Sequence, residues 1–204
     1  MAYPDRVEPL KIMRRYVVSV FLVLLVSGCG GIRYSEIAPE AKDFHPRNIG
    51  VLPVDVGPCE DARGVIDLVV SDVLTDKGWF TGVVAADTMK KQILSSEDAG
   101  KVTLDYISKL KTVNYSDPAL SKRIGELFNI DAFLVVDLLY WNYTKIEDNK
   151  VAKVEAGIEM INANTGQILW KAHHFEVEEY RFMKPQLSDV ARSLMKKMTR
   201  EMPH

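Results

Sequence analysis

Cysteine is scarce: the 204 residues hold only Cys29 and Cys59, and no CxxC pair occurs, which argues against a redox-active dithiol. No excess of positive charge is present either, with a formal net charge of −2. General nucleic-acid binding, which relies on a basic surface to displace counterions, is therefore excluded. The longest apolar run, residues 16–26, falls well short of the roughly twenty residues a membrane-spanning helix needs. There is no HExxH, no phosphate loop and no nucleophile-elbow spacing, so no catalytic motif is available to build on. Internal repeats and low-complexity tracts are also missing, and the length suits one domain of ordinary size with a proper core.

What is there begins at the amino-terminal end. The apolar run follows a basic pair, Arg14 and Arg15, and leads into Val26-Ser27-Gly28-Cys29. A basic flank, a short apolar core and small residues at the cut make the plan of a secretory signal peptide. The next residue is a cysteine, whose thiol readily takes a lipid by alkylation, and the four residues resemble the lipobox of bacterial lipoproteins. That resemblance implies a signal peptide over residues 1–28, a thioether-linked diacylglyceryl group on Cys29, and a mature chain starting there. Asp5 and Glu8 are out of place in a basic leader, whereas Met13-Arg14-Arg15 is a clean one, so translation is expected to begin at Met13. Without residues 1–28 the chain keeps 22 basic and 26 acidic residues, a net charge of about −4. Acylation of Cys29 leaves Cys59 as the sole thiol, so no intramolecular disulfide can form and the fold must stand on burial. A buried or half-buried structural cysteine is the simplest reading of Cys59, with an intermolecular bridge or reactive thiol as the alternative. Gly30 occupies the position where an aspartate commonly retains Gram-negative lipoproteins in the inner membrane, which favours the outer membrane with the domain in the periplasm.

Residues 29–47 sustain no period and read as the lipidated cysteine followed by a flexible tether. The α/β domain is expected over 48–204. Residues 48–55 form a short apolar run ending in turn formers, a buried strand. Ala62, Val65, Ile66, Val69, Val70, Val73 and Leu74 then share one helical face, with Asp61 as the starting cap and Gly78 as the stop. Asp67, Ser71, Asp72 and Asp76 fall on the other side, expected to be solvated. A second strand is expected over 80–84, and Asp87 opens another helix. The stretch 97–115 is less regular, with a helix around Leu104, Ile107 and Leu110. Asp117-Pro118 supplies a cap and a first-turn proline for a helix striped by Leu120, Ile124, Leu127 and Phe128. Strands over 132–143, 151–160 and 168–177 are expected to form an antiparallel meander, the last two separated by the turn formers of 162–166. Leu187, Val190, Ala191, Leu194, Met195 and Met198 stripe a closing helix. The early crossovers favour parallel pairing and the later hairpins antiparallel pairing, so the expected fold is an open mixed five-stranded sheet with helices on both faces.

Three segments carry a family likeness. Ile49-Gly50-Val51-Leu52-Pro53, the passage from Ile124 through Gly125, Asn129 and Asp131 to Val136, and Asn164-Thr165-Gly166-Gln167-Ile168-Leu169-Trp170 together resemble bacterial lipoproteins of the curli-secretion (CsgG) and TolB N-terminal-domain type, especially their small lipoprotein branch. The resemblance covers residues 48–178 and implies an envelope role, as an accessory to secretion, transport or cell-wall assembly. It brings no catalytic residues. A pore of the curli type needs further strands of about ten residues that face lipid and water alternately. The strong strands here are needed for the domain's own sheet, so pore formation by this chain alone is not expected.

Candidate sites are few. His173, His174, Glu176 and Glu178 are zinc-ligand types, but neighbours in a strand point to opposite faces, so the two histidines cannot easily chelate one ion and no metal site is assigned. Asp137 interrupts the face of Phe133, Val135 and Leu139 and needs a hydrogen bond or a strand end, as a structural aspartate would. Tyr140, Trp141 and Tyr143 cluster near a strand end and are candidates for a partner surface, against ordinary sheet packing. Arg192, Lys196, Lys197 and Arg200 lie opposite the last helix's stripe, as a solvated basic face. No catalytic residue and no cofactor is assigned. The expectation is a non-enzymatic domain, held to the membrane by acyl chains on Cys29, that binds another envelope protein or its own copies. The alternative is a periplasmic enzyme dependent on a metal or small molecule, its catalytic groups assembled from distant residues.

Overall fold

The computed structural model describes residues 32–204, so the export signal, the start at Met13, Val26-Ser27-Gly28 and the lipidation position Cys29 lie outside the described residues. Among the described residues, six strands form one sheet: β1 (Tyr34–Ile37), β2 (Asn48–Val51), β3 (Gly82–Val84), β4 (Ala132–Ile146), β5 (Asn149–Asn162) and β6 (Ile168–Glu179), in the spatial order β1-β6-β5-β4-β2-β3. β2 runs parallel to both β3 and β4, while β4, β5 and β6 form the antiparallel meander. The mixed α/β architecture is thus as expected, with a correction to the strand count.

The additional strand is β1, inside the segment expected to be a tether. It pairs antiparallel with β6, from Tyr34 opposite His173 to Ile37 opposite Trp170. Ser35 Oγ accepts the indole N–H of Trp170 at 3.1 Å, and the backbone N–H of Arg33 donates to His174 Nδ1 at 3.1 Å. Trp170 is almost wholly buried, so its single polar atom requires that partner. Four residues with two polar members show too little alternation to mark a strand from sequence.

Among the described residues five α-helices pack on the sheet: α1 (Val65–Lys77), α2 (Ala86–Ser95), α3 (Glu97–Val113), α4 (Pro118–Phe128) and α5 (Leu187–Met198). On one face Ile66, Val70 and Leu74 of α1 and Val190, Leu194 and Met195 of α5 meet Leu134, Val136, Val154 and Ile158. On the other, Tyr106 and Leu110 of α3 and Ile124 and Phe128 of α4 meet Leu52, Phe133, Val135 and Ile161. Alternate residues of β4 serve both cores, which is why its first half is apolar without a break.

Capping explains the helix limits. Asp117 accepts the N–H groups of Ala119 and Leu120, and Ser96 accepts that of Ala99, so 97–113 is one continuous helix. α1 starts later than expected: Asp61 sits in a short 3-10 turn, Glu60–Ala62, and Gly64, at φ 77°, provides the boundary. Asp67 and Ser71 are also corrected. Both are buried, at 8% and 6% exposure, because each answers a buried backbone donor. Asp67 Oδ1 accepts from Val54 N–H at 2.8 Å, and Ser71 Oγ accepts from Ala86 N–H at 3.2 Å.

β4 carries an irregularity between Leu138 and Tyr140. Leu139 is the extra residue, 52% exposed, and from there the face alternation is offset by one. Leu138 and Trp141 consequently share a face, and Leu139 does not continue that of Phe133 and Val135. Among the described residues no helix is long and apolar enough to cross a membrane.

Candidate interaction surface

α3 and α4 cover only the half of their sheet face that lies beside β2. Beyond Ile161 and Val135 no helix among the described residues covers the same face across β4, β5, β6 and β1, where the pairing registers set Tyr140 and Phe175 on either side of Glu155, with His173 beside Tyr34. Lys153 Nζ lies 2.7 Å from Glu155 Oε2, and also 4.9 Å from the centre of the Tyr140 ring and 5.0 Å from that of Phe175. Glu155 Oε1 is 3.0 Å from His173 Nε2 and 3.7 Å from Arg33 Nη1. Further along, Lys171 and Glu159 pair at 2.8 Å.

Partial burial works against ionising Glu155, but the hydrogen bond and charge of Lys153, with His173, outweigh it and hold the carboxyl below its usual range. Gly157 sits among these groups, and a side chain built on it would meet nothing within 4 Å. The result is a shallow, half-buried panel of aromatic rings and alternating charge, a composition suited to protein contact.

The sequence candidates divide across the sheet. Tyr140 belongs to this panel, whereas Trp141 and Tyr143 turn to the other face and pack against the α1/α5 core. Tyr143 Oη donates to the Pro185 carbonyl at 2.8 Å, and its ring meets Tyr180 edge-on at 5.8 Å. Tyr140 and Trp141 also border a groove of about 350 Å³ beside Cys59, which is free and half-buried.

His173 and His174 point to opposite faces, as strand geometry requires. His174 is buried beside α5, where desolvation, and next the charge of Lys197, lower its pKa. Its Nε2 has no hydrogen-bond partner among the described residues. Glu176 is engaged by Lys197 at 3.4 Å. Among the described residues no group of three or more His, Cys, Asp or Glu side chains is placed to hold a metal ion. Two members of the expected basic face are tied to other elements, Lys197 to Glu176 and Arg192 to Asp72 at 2.9 Å.

Asp137 receives Lys111 of α3 at 2.6 Å, and the same ammonium pairs with Asp55. Asp55 is held below the ordinary carboxylate range first by Lys111 and then by the Gly57 N–H. Burial alone would lower the Lys111 pKa, but the two carboxylates overcome it and raise the value. Sequence reasoning missed Lys111, since nothing in its spacing ties it to residues on two strands. It also missed Lys153 and Glu155, for which a signal existed: polar residues at 153, 155 and 159 alternate with apolar ones at 152, 154, 156, 158 and 160.

No protein-family profile matches the chain, and no curated protein sequence matches it. Solved structures do. The PelC dodecamer from Paraburkholderia phytofirmans is 17% identical with a TM-score of 0.53, over 81% of this chain and 92% of that one. Lipoprotein GNA1162 from Neisseria meningitidis is 14% identical with a TM-score of 0.47, over 72% of this chain and 93% of that one. The PelC likeness, at that level of identity, establishes a shared fold, a mixed α/β domain, and nothing further.

Proposed function

We propose that this protein is a lipid-anchored component of the bacterial cell envelope, held through acyl chains on Cys29, and that it acts by binding rather than by catalysis. Its partner is another envelope protein or further copies of itself, in an accessory role in secretion, transport or assembly, of the kind that the CsgG and TolB-type resemblance implies. The outer membrane, with the domain in the periplasm, is the location this reading assigns. Anchoring confines the domain beside other envelope components and raises its effective concentration there.

The observation that carries the binding half of the reading is the uncovered panel of Tyr140, Lys153, Glu155, Phe175 and His173. Helices shield the rest of that face, yet here rings and paired charges stay half-open. The fold likeness to a protein that forms a dodecamer supports copies of the chain as one occupant.

A photo-crosslinking amino acid at position 140, in intact cells, tests this. Discrete crosslinked species are expected, either multiples of the chain or one further envelope protein, and they should weaken when Lys153 and Glu155 are exchanged for one another. Crosslinks confined to water and lipid would overturn it. The anchor is tested separately, by radiolabelled palmitate incorporation that Cys29→Ser should abolish.

A further inference from the structure

We propose that the end of the sheet formed by the β4–β5 hairpin tip and the β6–α5 loop is a membrane-docking surface, which takes the headgroup layer of a phospholipid bilayer. This rests on the reading of Cys29 as the lipidated residue and specifies how the domain meets the membrane.

Strand directions set the end of the sheet toward which Arg33 leaves β1. β6 runs from Ile168 to Glu179 and β1 runs against it, so the chain before Tyr34 heads toward the Glu179 end. The same end carries the hairpin tip between Ile146 and Asn149, because Val151 pairs with Glu179, and Tyr180 N–H continues the ladder to the Lys150 carbonyl at 3.0 Å. From His173, level with Tyr34, to Glu179 is six residues, a rise of about 20 Å. From Cys29 to Tyr34 is five residues, which span at most about 17–18 Å. If these residues continue along the line of β1, the acyl chains come down beside this end of the sheet. A tether extending to residue 47 would have left the orientation free.

The surface at that end has matching chemistry. Phe182 is 99% exposed and Met183 86%, and Ile146 lies open at the hairpin tip. Between hairpin and loop runs a groove of about 480 Å³ lined by Lys145, Lys150, Arg181 and Lys184, with no carboxylate among its lining residues. Lys184 Nζ rests 4.5 Å from the centre of the Tyr143 ring. Glu147 and Asp148 occupy the hairpin turn and Glu178 and Glu179 the end of β6, outside this lining, so the end as a whole is close to neutral and the positive charge is confined to the groove. The combination is an apolar tip for the acyl boundary and a cationic groove with aromatic walls for lipid phosphates. Exposed apolar side chains at a loop tip gain nothing from water, whereas here they project where the anchor brings the bilayer.

The test uses the full lipoprotein with Cys59→Ser and Met183→Cys, labelled with an environment-sensitive fluorophore and reconstituted into vesicles of phosphatidylethanolamine and phosphatidylglycerol. Doxyl groups near the lipid headgroups should remove about half of the emission or more, since an interfacial side chain sits ~5–10 Å into the headgroup layer. A label at Asn164→Cys, in the turn at the opposite end of the sheet, should keep its emission. Phe182→Ser, or Lys150→Glu with Arg181→Glu, should restore emission at position 183. Floating vesicles that carry protein with an unquenched label at 183 would overturn the docking surface alone. A label at 183 shielded from aqueous iodide yet indifferent to doxyl lipid would assign the tip to another protein and likewise overturn it. A second label entering at Cys29, with protein left behind by the vesicles, would overturn the anchor and this inference with it.

Discussion

Replacing Asp67 tests how α1 is attached to the sheet. Its carboxylate is buried, lies in the first turn of α1, and accepts the buried N–H of Val54 at 2.8 Å. In Asp67→Ala that N–H keeps its burial and loses its partner, which costs about 1–3 kcal/mol. Loss of the negative charge from the positive end of the helix adds ~0.3–1 kcal/mol. The sum is a destabilisation of about 1–4 kcal/mol. Asp67→Asn keeps an oxygen acceptor and loses only the charge, so its cost should stay near 1 kcal/mol or below, as roughly the charge contribution alone. Urea unfolding followed by circular dichroism reads both. With a slope of about 2–3 kcal/mol per molar, the alanine variant should lose roughly 1 M in its midpoint, and the asparagine variant a third of that or less. An alanine variant within ~0.5 kcal/mol of the parent, the range of an ordinary surface change, would refute the reasoning. Equal losses in the two variants would refute it as well, since the hydrogen bond would then contribute nothing.

Gly166→Ala should cost about 2 kcal/mol or more, because the position has φ +71° and the new methyl would stand 2.7 Å from Pro118 Cα. Gly166→Asn, which tolerates that φ, should not rescue it; thermal melts decide. Ser35→Ala leaves the Trp170 indole N–H unpaired in a buried site, so a loss of about 1–3 kcal/mol and faster amide exchange along β1 are expected. Unchanged exchange would show that β1 does not depend on this contact. On acidification, the stability due to the lowered Asp55 carboxyl is fully present above its ordinary value of about 3.9 and is lost as pH falls through the depressed one. Asp55 is more than half exposed, so solvent screening keeps this under about 1 kcal/mol. Lys111→Met should flatten or reverse that acid-side loss, and an identical pH profile would contradict the pairing.

Much of the fold was legible because its elements announce themselves locally. Asp117-Pro118 started a helix where capping chemistry required one, and the alternation through β5 and β6 put His173 and His174 on opposite faces. What could not be read depended on distant partners. β1 exists because Trp170 needs an acceptor for its N–H and β6 needs a neighbour, and neither need is visible in Tyr-Ser-Glu-Ile itself. Asp67 and Ser71 look like solvent-facing residues until Val54 and Ala86 arrive from other segments with unpaired N–H groups. Strand alternation alone separates Tyr140 from Trp141 and Tyr143, but the Leu139 irregularity decided which face each took, since one extra residue exchanges faces for all that follow. Of the candidate surface, His173 was named from sequence only as a metal-ligand type, and Tyr140 as a partner-surface residue. Lys153, Glu155 and Phe175 became its neighbours through strand pairing.

Both rims of the sheet are short: β1 has four residues and β3 three. A long bare rim offers a row of free amides and carbonyls on which ribbons can grow from molecule to molecule. Here, however, β2 covers β4 only from Ala132 to Leu134, with one further bridge at Asp137, and β1 covers β6 only from Trp170 to His173, so among the described residues the far halves of both long strands keep open outer edges. Packed densely on one surface, such molecules would have those two half-strands, rather than a full-length rim, on which to extend backbone to backbone.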